Sequence, residues 1–316
     1  MSSPSQRLRQ SSLALAVSLA FLPMGAAAQT GGQALFTAPS GLMEMPSRSA
    51  DGKIKGRPYG GTSPTADWTI VQWNIPQDLP PFSNGYAANQ YASVHFSPGG
   101  ISLTQDASAL PCNKIYPSGR QLVDEFDLFV QPVNKTTPDL PQGFRGVRAP
   151  LSQLSAIVLA ATVTPAVPQL ADATCKITRA GAGFSVVLTD PQTRQTFYYQ
   201  LGFAAFHAQG QTMAPEQLPA NWFFTGTNIQ AGAARQFGFG DRIWTSYGAS
   251  PAPAGQPSTL SFNILPQLKQ LIAQGSKFGM DQDLSHWAVT GMYYGQAVFG
   301  HVKFGSQWQN VSLTVR

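Results

Sequence analysis

Residues 183–203 read GFSVVLTDPQTRQTFYYQLGF. Gly183–Thr189 and Gln195–Phe203 are rich in β-branched and aromatic residues, and Asp190-Pro191-Gln192-Thr193 separates them with turn formers. That order predicts a hairpin of strand, turn and strand. The same grammar extends upstream. In Asp67–Ile75 (DWTIVQWNI), Trp68, Ile70 and Gln72 fall on one face and Thr69, Val71 and Trp73 on the other, before Pro76, Pro80 and Pro81 end the strand. Tyr91–Phe96, Ile101–Thr104 and Asp124–Val133 read as further strands, with Pro98-Gly99-Gly100 as a turn between the first two. The apolar run Ala156–Thr164 fits either a buried strand or a short helix, because periodicity does not separate the two.

Downstream, short strands are expected at Trp222–Thr225, Arg242–Tyr247 and Ser258–Asn263. A helix then follows. Leu265, Leu268, Leu271 and Ile272 recur at helical spacing, Pro266 sits in the first turn and Gly275 stops it. His286–Tyr294, Gln296–Phe304 and Gln309–Val315 return to strands, with Gly291, Gly295 and Gly300 read as interruptions or points of close backbone approach. Short strands with turn signals at intervals of about ten residues predict an all-β chain, a β-sandwich of jelly-roll type with one short late helix. Residues 29–66, rich in Gly, Ser, Thr and Pro, read as an extended lead-in, and residues 67–316 as one sandwich domain.

The N-terminus carries an export signal. Arg7 and Arg9 give a positive segment without acids, Leu13–Leu22 (LALAVSLAFL) is uncharged and apolar, and Ala26-Ala27-Ala28 supplies a cleavage site before Gln29. Residues 1–28 are therefore expected to be a bacterial-type signal peptide, with the mature chain periplasmic or extracellular. Without the two arginines of that segment the net charge falls from +5 to +3. No basic stripe appears, so nucleic acid is not an expected partner. No apolar run after the signal is long enough for a membrane-spanning helix. Cys112 and Cys175 are the two cysteines, and in an oxidising compartment they are expected to form one disulfide.

Two constellations point to chemistry. In Asp124-Glu125-Phe126-Asp127, strand geometry sets Glu125 and Asp127 on one face, roughly 7 Å apart. Two such carboxylates can divide acid and nucleophile roles in glycoside cleavage, because their mutual repulsion raises one pKa. Aromatic residues on expected strands, Trp68, Trp73, Trp222, Trp244, Trp287, Tyr293 and Tyr294, are candidate stacking surfaces for sugar rings. The adjacent pair Tyr293/Tyr294 and the pair Trp68/Trp73 each divide between opposite faces. Asp281 and Asp283 have the spacing to contribute to a Ca²⁺ site, but an acidic turn is the simpler reading and no cofactor is otherwise indicated.

Glu125-Phe126-Asp127 resembles the first two acids of the Glu-x-Asp-x-Glu or Glu-x-Asp-x-x-Glu strand in glucanases of the concanavalin A-like jelly rolls. Positions 129 and 130 are Phe and Val, so the third acid, the proton donor of that pattern, is missing here. The resemblance implies a β-sandwich with an altered or rearranged acid site. Three functions follow as expectations: a carbohydrate-binding, lectin-like protein; a polysaccharide-cleaving glycoside hydrolase using Glu125 and Asp127; or a surface protein with no small ligand.

Overall fold

The computed structural model describes residues 32–36, 42–46, 53–56, 66–73, 76–97, 100–110, 125–132, 149–171, 175, 178–208, 242–248 and 253–316. The expected signal peptide, Cys112 and Trp222 lie outside the described residues. In chain order the strands are β1 Gln33–Ala34, β2 Leu42–Pro46, β3 Lys53–Gly56, β4 Ala66–Trp73, β5 Tyr86–Ala88, β6 Ala92–Ser97, β7 Gly100–Asp106 and β8 Glu125–Pro132. They continue as β9 Ile157–Pro165, β10 Gln169–Leu170, β11 Arg179–Asp190, β12 Gln195–His207, β13 Arg242–Gly248, β14 Ser258–Asn263, β15 Ala288–Phe299 and β16 Val302–Val315.

The strands form two sheets. The first runs β14-β9-β16-β7-β6-β5, with β1 and β10 also pairing β16. The second runs β13-β12-β11-β15-β8-β4-β2-β3. The predicted hairpin is the β11–β12 pair, antiparallel from Arg179↔His207 to Asp190↔Gln195. The undecided run 156–164 falls almost wholly in strand β9, Ile157–Pro165. It lies between β14 and β16, and β-branched residues such as Ile157, Val158 and Val163 suit that pleated surface. The fold is the expected all-β sandwich of jelly-roll type.

Alternation decides the two faces of the second sheet. Ala180, Ala182, Phe184, Val186 and Leu188 of β11 are buried in the core, as are Phe126, Leu128 and Val130 of β8. Gly181, Gly183 and Ser185 of β11 and Asp127 and Phe129 of β8 alternate with them on the opposite face. Phe203 and Ala204 are consecutive core residues where β12 bulges against Ala182/Gly183. The late helix spans Leu265–Gln274 and buries Leu265, Leu268, Leu271 and Ile272. Asn263 Oδ1 accepts from the Leu265 and Ile157 N–H groups, which ties the helix start to β9. No helix among the described residues is long and apolar enough to cross a membrane.

Two expectations change. Three short strands inside residues 33–56 join the sheets, so part of the lead-in is sheet. The last three expected strands are two long ones, because Gly295 sits inside β15 rather than ending a strand. Its φ is +152°, and a Cβ there would lie 2.3 Å from Leu128 O. The glycine therefore permits close approach of β8 where the sequence pattern suggested a break.

A buried polar chain joins the two sheets. Trp308 Nε1 donates to Ser306 Oγ (2.9 Å), which donates to Gln296 Oε1 (2.7 Å). Gln296 Nε2 donates to Gln105 Oε1 (3.0 Å), and Gln105 Nε2 donates to the Phe126 carbonyl (2.7 Å). Gln296→Leu would leave the Gln105 oxygen and the Ser306 hydroxyl buried without these partners. A loss of about 2–4 kcal/mol in denaturant unfolding is expected, since each stranded group costs about 1–3 kcal/mol. A change under ~0.5 kcal/mol, the level of an unremarkable surface substitution, would show that the network adds nothing.

Candidate functional site

Asp127 lies on the outer face of the second sheet and is 6% exposed. Its strand register defines a row across that face: Trp73 of β4, Asp127 of β8, Ala297 of β15, Gly181 of β11 and Ala205 of β12. Two residues along, the next row runs Val71, Phe129, Gly295, Gly183, Gly202 and Gly248. From β15 to β12 the two rows hold only glycine and alanine. Gly202 is exposed, and Gly181, Gly183 and Ala297 are half-buried. A Cβ added at Gly202 would meet nothing within 4 Å.

These missing side chains leave a trough across the strands. Its floor crosses β15, β11 and β12, a span of about 10 Å at ordinary strand spacing. One wall is the row Phe299 and Arg179, with the Arg179 guanidinium 3.8 Å from the centre of the Phe299 ring. Glu125 stands opposite Phe299 in the same register; its side chain is outside the described set. The other wall is the row Tyr293, Ser185 and Gln200. Phe129 packs edge-on against Tyr293 (5.1 Å between centres) and, with Asp127, closes the trough at β8.

Gln200 Nε2 donates to the Tyr293 hydroxyl at 2.8 Å. Burial pushes the Tyr293 phenol up to about 12, while the nearby Ser185 and Gln200 side chains pull the other way and the Tyr198 and Asp127 charges add a smaller push. Burial therefore favours the protonated phenol at neutral pH.

The aromatic candidates separate. Trp68, Trp287 and Tyr294 are fully enclosed in the core, which removes them as ligand-stacking residues. Trp68 and Tyr294 pack edge-to-face at 6.2 Å, and Trp287 packs on Phe197. Burying a large aromatic side chain is strongly favourable, which accounts for their place in the core. Tyr293 lies on the outer face, as the division of the Tyr pair required. Trp73 stands opposite Asp127 and Trp244 opposite Tyr198, at register positions only. Cys175 is buried and is not a free thiol. At the suggested Ca²⁺ turn, Asp281 and Asp283 are engaged by His286 and by N–H groups of their own turn.

The glycine rows were missed in the sequence. Gly181, Gly183, Gly202 and Gly295 each interrupt a strand pattern, the available sign of close approach. Their alignment depends on register among strands remote in sequence.

No family model and no curated protein matches the chain. Solved structures with a similar course include an endoglucanase, cel12A, from Rhodothermus marinus, at 12% identity and TM-score 0.43, covering 73% of this chain and 91% of that one. A native family 12 xyloglucanase from Bacillus licheniformis aligns at 14% identity and TM-score 0.41, covering 78% and 100%. A family 11 xylanase from Neocallimastix patriciarum aligns at 8% identity and TM-score 0.41, also covering 78% and 100%.

Proposed function

We propose that this chain is an exported carbohydrate-active protein that cleaves a glycosidic bond in a polysaccharide, with the glycan lying in the trough and Asp127 and Glu125 as the acid pair. One observation carries this reading: a carboxylate with 6% exposure, Asp127, stands at the end of a floor made of glycine and alanine. A carboxylate buried on the outer face of a sheet, beside such a floor, supports a functional role for it. The bare floor admits a flat ring, and Tyr293, Gln200 and Arg179 offer hydrogen bonds to hydroxyls along both walls.

Residues two apart on a strand have Cα atoms roughly 7 Å apart, a spacing that allows their carboxyl groups the ~6.5–9.5 Å that admits a water between them. One carboxyl group then protonates the leaving oxygen while the other draws a proton from water, and the product forms with inverted configuration. Export and a Cys112–Cys175 disulfide belong to the same proposal. A signal of the kind at residues 1–28 delivers the chain to a compartment where that bridge persists.

A second reading, glycan binding without cleavage, is favoured by the register. The neighbours of Asp127 on adjacent strands are Ala297 and Trp73, so neither adjacent strand sets a second carboxylate opposite it. Soluble β-glucans and xylans should be tested for released reducing ends and, in parallel, for binding by affinity electrophoresis. Cleavage is expected, and Gly202→Phe, which fills open space, should suppress cleavage and binding together while leaving the fold intact. Binding without reducing ends would select the second reading. Neither activity would sink both and leave a surface protein with no small ligand.

A further inference from the structure

At the end of the second sheet remote from Asp127, the loop between the helix and β15 meets the turn between β11 and β12. Ala288 and Ala297 are nine residues apart on β15, so the two regions are separated by about 30 Å. Asp190 closes the turn: its Oδ1 accepts from the Gln192 N–H at 2.7 Å, and its Oδ2 accepts from the Thr193 hydroxyl. It is 1% exposed. Asp281, from the loop, brings a carboxylate oxygen within 4.8 Å of one of its own.

His286 faces this group. Its Nδ1 lies 2.6 Å from Asp281 Oδ2 and its Nε2 3.4 Å from Asp283 Oδ2. Single atoms of Asp190, Asp281 and His286 all fall within 4.8 Å of one another. Gln195 of β12 spans the seam, donating to Gly279 O at 2.7 Å and accepting from the Asp281 N–H at 3.0 Å. The Asp281 carbonyl accepts from Trp287 Nε1 at 2.9 Å, which anchors the loop to a fully buried side chain.

We propose that His286 is the proton-operated pin of a latch, which holds the 279–287 loop on the 190–195 turn while the ring is cationic and slackens when the ring is neutral. The groups facing the ring are Asp281 and Asp283 of its own loop and Asp190 at the end of β11; Gln195 from β12 is neutral. A cationic ring offsets carboxylates that otherwise repel across the seam. A neutral ring leaves them uncompensated.

The hydrogen bond to Asp281 raises His286 above 6.5, against partial desolvation and with help from the charges of Asp283, Asp281 and Asp190. A raised histidine contributes stability that is complete below pH 6.5 and is lost as pH climbs through its higher folded value. Asp281 is held below 3.8, first by its bond to His286, and Asp283 below 3.8, first by Ser285. Their contribution is present above that value and fades as pH falls through the lowered ones. The latch is closed between about pH 4 and pH 6.5 and opens on the alkaline side.

Amide hydrogen exchange of the full chain, read by mass spectrometry at pH 5.5 and 8.5 and corrected for intrinsic rates, tests it. Protection of segments 190–196 and 279–287 should fall several-fold at the higher pH in the wild type, and His286→Gln should show no such fall. Equal protection at both pH values, or the same fall in His286→Gln, overturns the latch. If that variant does not fold, Asp283→Asn serves instead and should move the wild-type transition to lower pH; an unmoved transition also overturns it. Calcium or zinc chloride supplies a further arm. If either salt restores protection at pH 8.5 in the wild type and fails in Asp281→Asn, the cluster is a cation site and the latch is wrong. The latch does not depend on glycan cleavage.

Discussion

Asp127→Asn is expected to lower polysaccharide cleavage by about a thousandfold or more, which is at least ~4 kcal/mol of lost transition-state stabilisation. The amide matches the carboxylate in size, and the position lies outside the inter-sheet core, so folding should survive. An amide cannot take up or hold the proton that the reaction moves. Binding should persist, because the glycine and alanine floor and both walls are untouched. Reducing-end release and affinity electrophoresis on the same preparation separate the two. A variant keeping a tenth of wild-type turnover would remove Asp127 from the chemistry. Glu125→Gln is the companion experiment: unchanged turnover there would leave Asp127 without its proposed partner and require a different second acid.

The second large effect is structural. Gly295→Ala should cost more than ~3 kcal/mol and lower the melting temperature by some 6–12 °C. The backbone at Gly295 has φ +152°, a conformation that L side chains rarely adopt, and the new methyl carbon would lie 2.3 Å from Leu128 O and 2.9 Å from Phe129 Cα. Both are main-chain atoms, so relief requires β8 to move away from β15. Because β8 carries Asp127, the same movement would displace the proposed acid, and activity should fall even in the fraction that folds. Gly202→Ala is the control: nothing lies within 4 Å of its added carbon. It should stay within about 0.5 kcal/mol of wild type. Comparable losses in both variants would mean that loss of glycine in general, rather than contact with β8, is responsible.

Local chemistry carries its information in the sequence; cross-strand register does not. The β11–β12 hairpin was legible because a turn-forming cluster separates two alternating runs. The helix at Leu265–Gln274 was legible from its apolar spacing, with Pro266 and Gly275 at its ends. The short strand β1 was not, since its pairs, such as Gln33↔Val315, are made by residues far apart in the chain. Asp127 was singled out by its position two residues after Glu125. The core places of Trp68, Trp287 and Tyr294 were harder, because alternation separates two faces without saying which will be covered. The trough was out of reach for a related reason. Gly183, Gly202 and Gly295 become one surface only when the three strands that carry them are in register.

Residues 302–315 deserve a kinetic reading. β16 pairs with β7, β9 and β10 and reaches back to β1, so four strands await its arrival. Contacts that join residue 33 to residue 315 close a very long loop, and long-range pairing of this kind slows folding. Until those residues are free to enter, the first sheet has no centre, and β9 and β7 are two unpaired edges open to association. Refolding should therefore be a late, concerted closure, sensitive to protein concentration while the gap at β16 is unfilled.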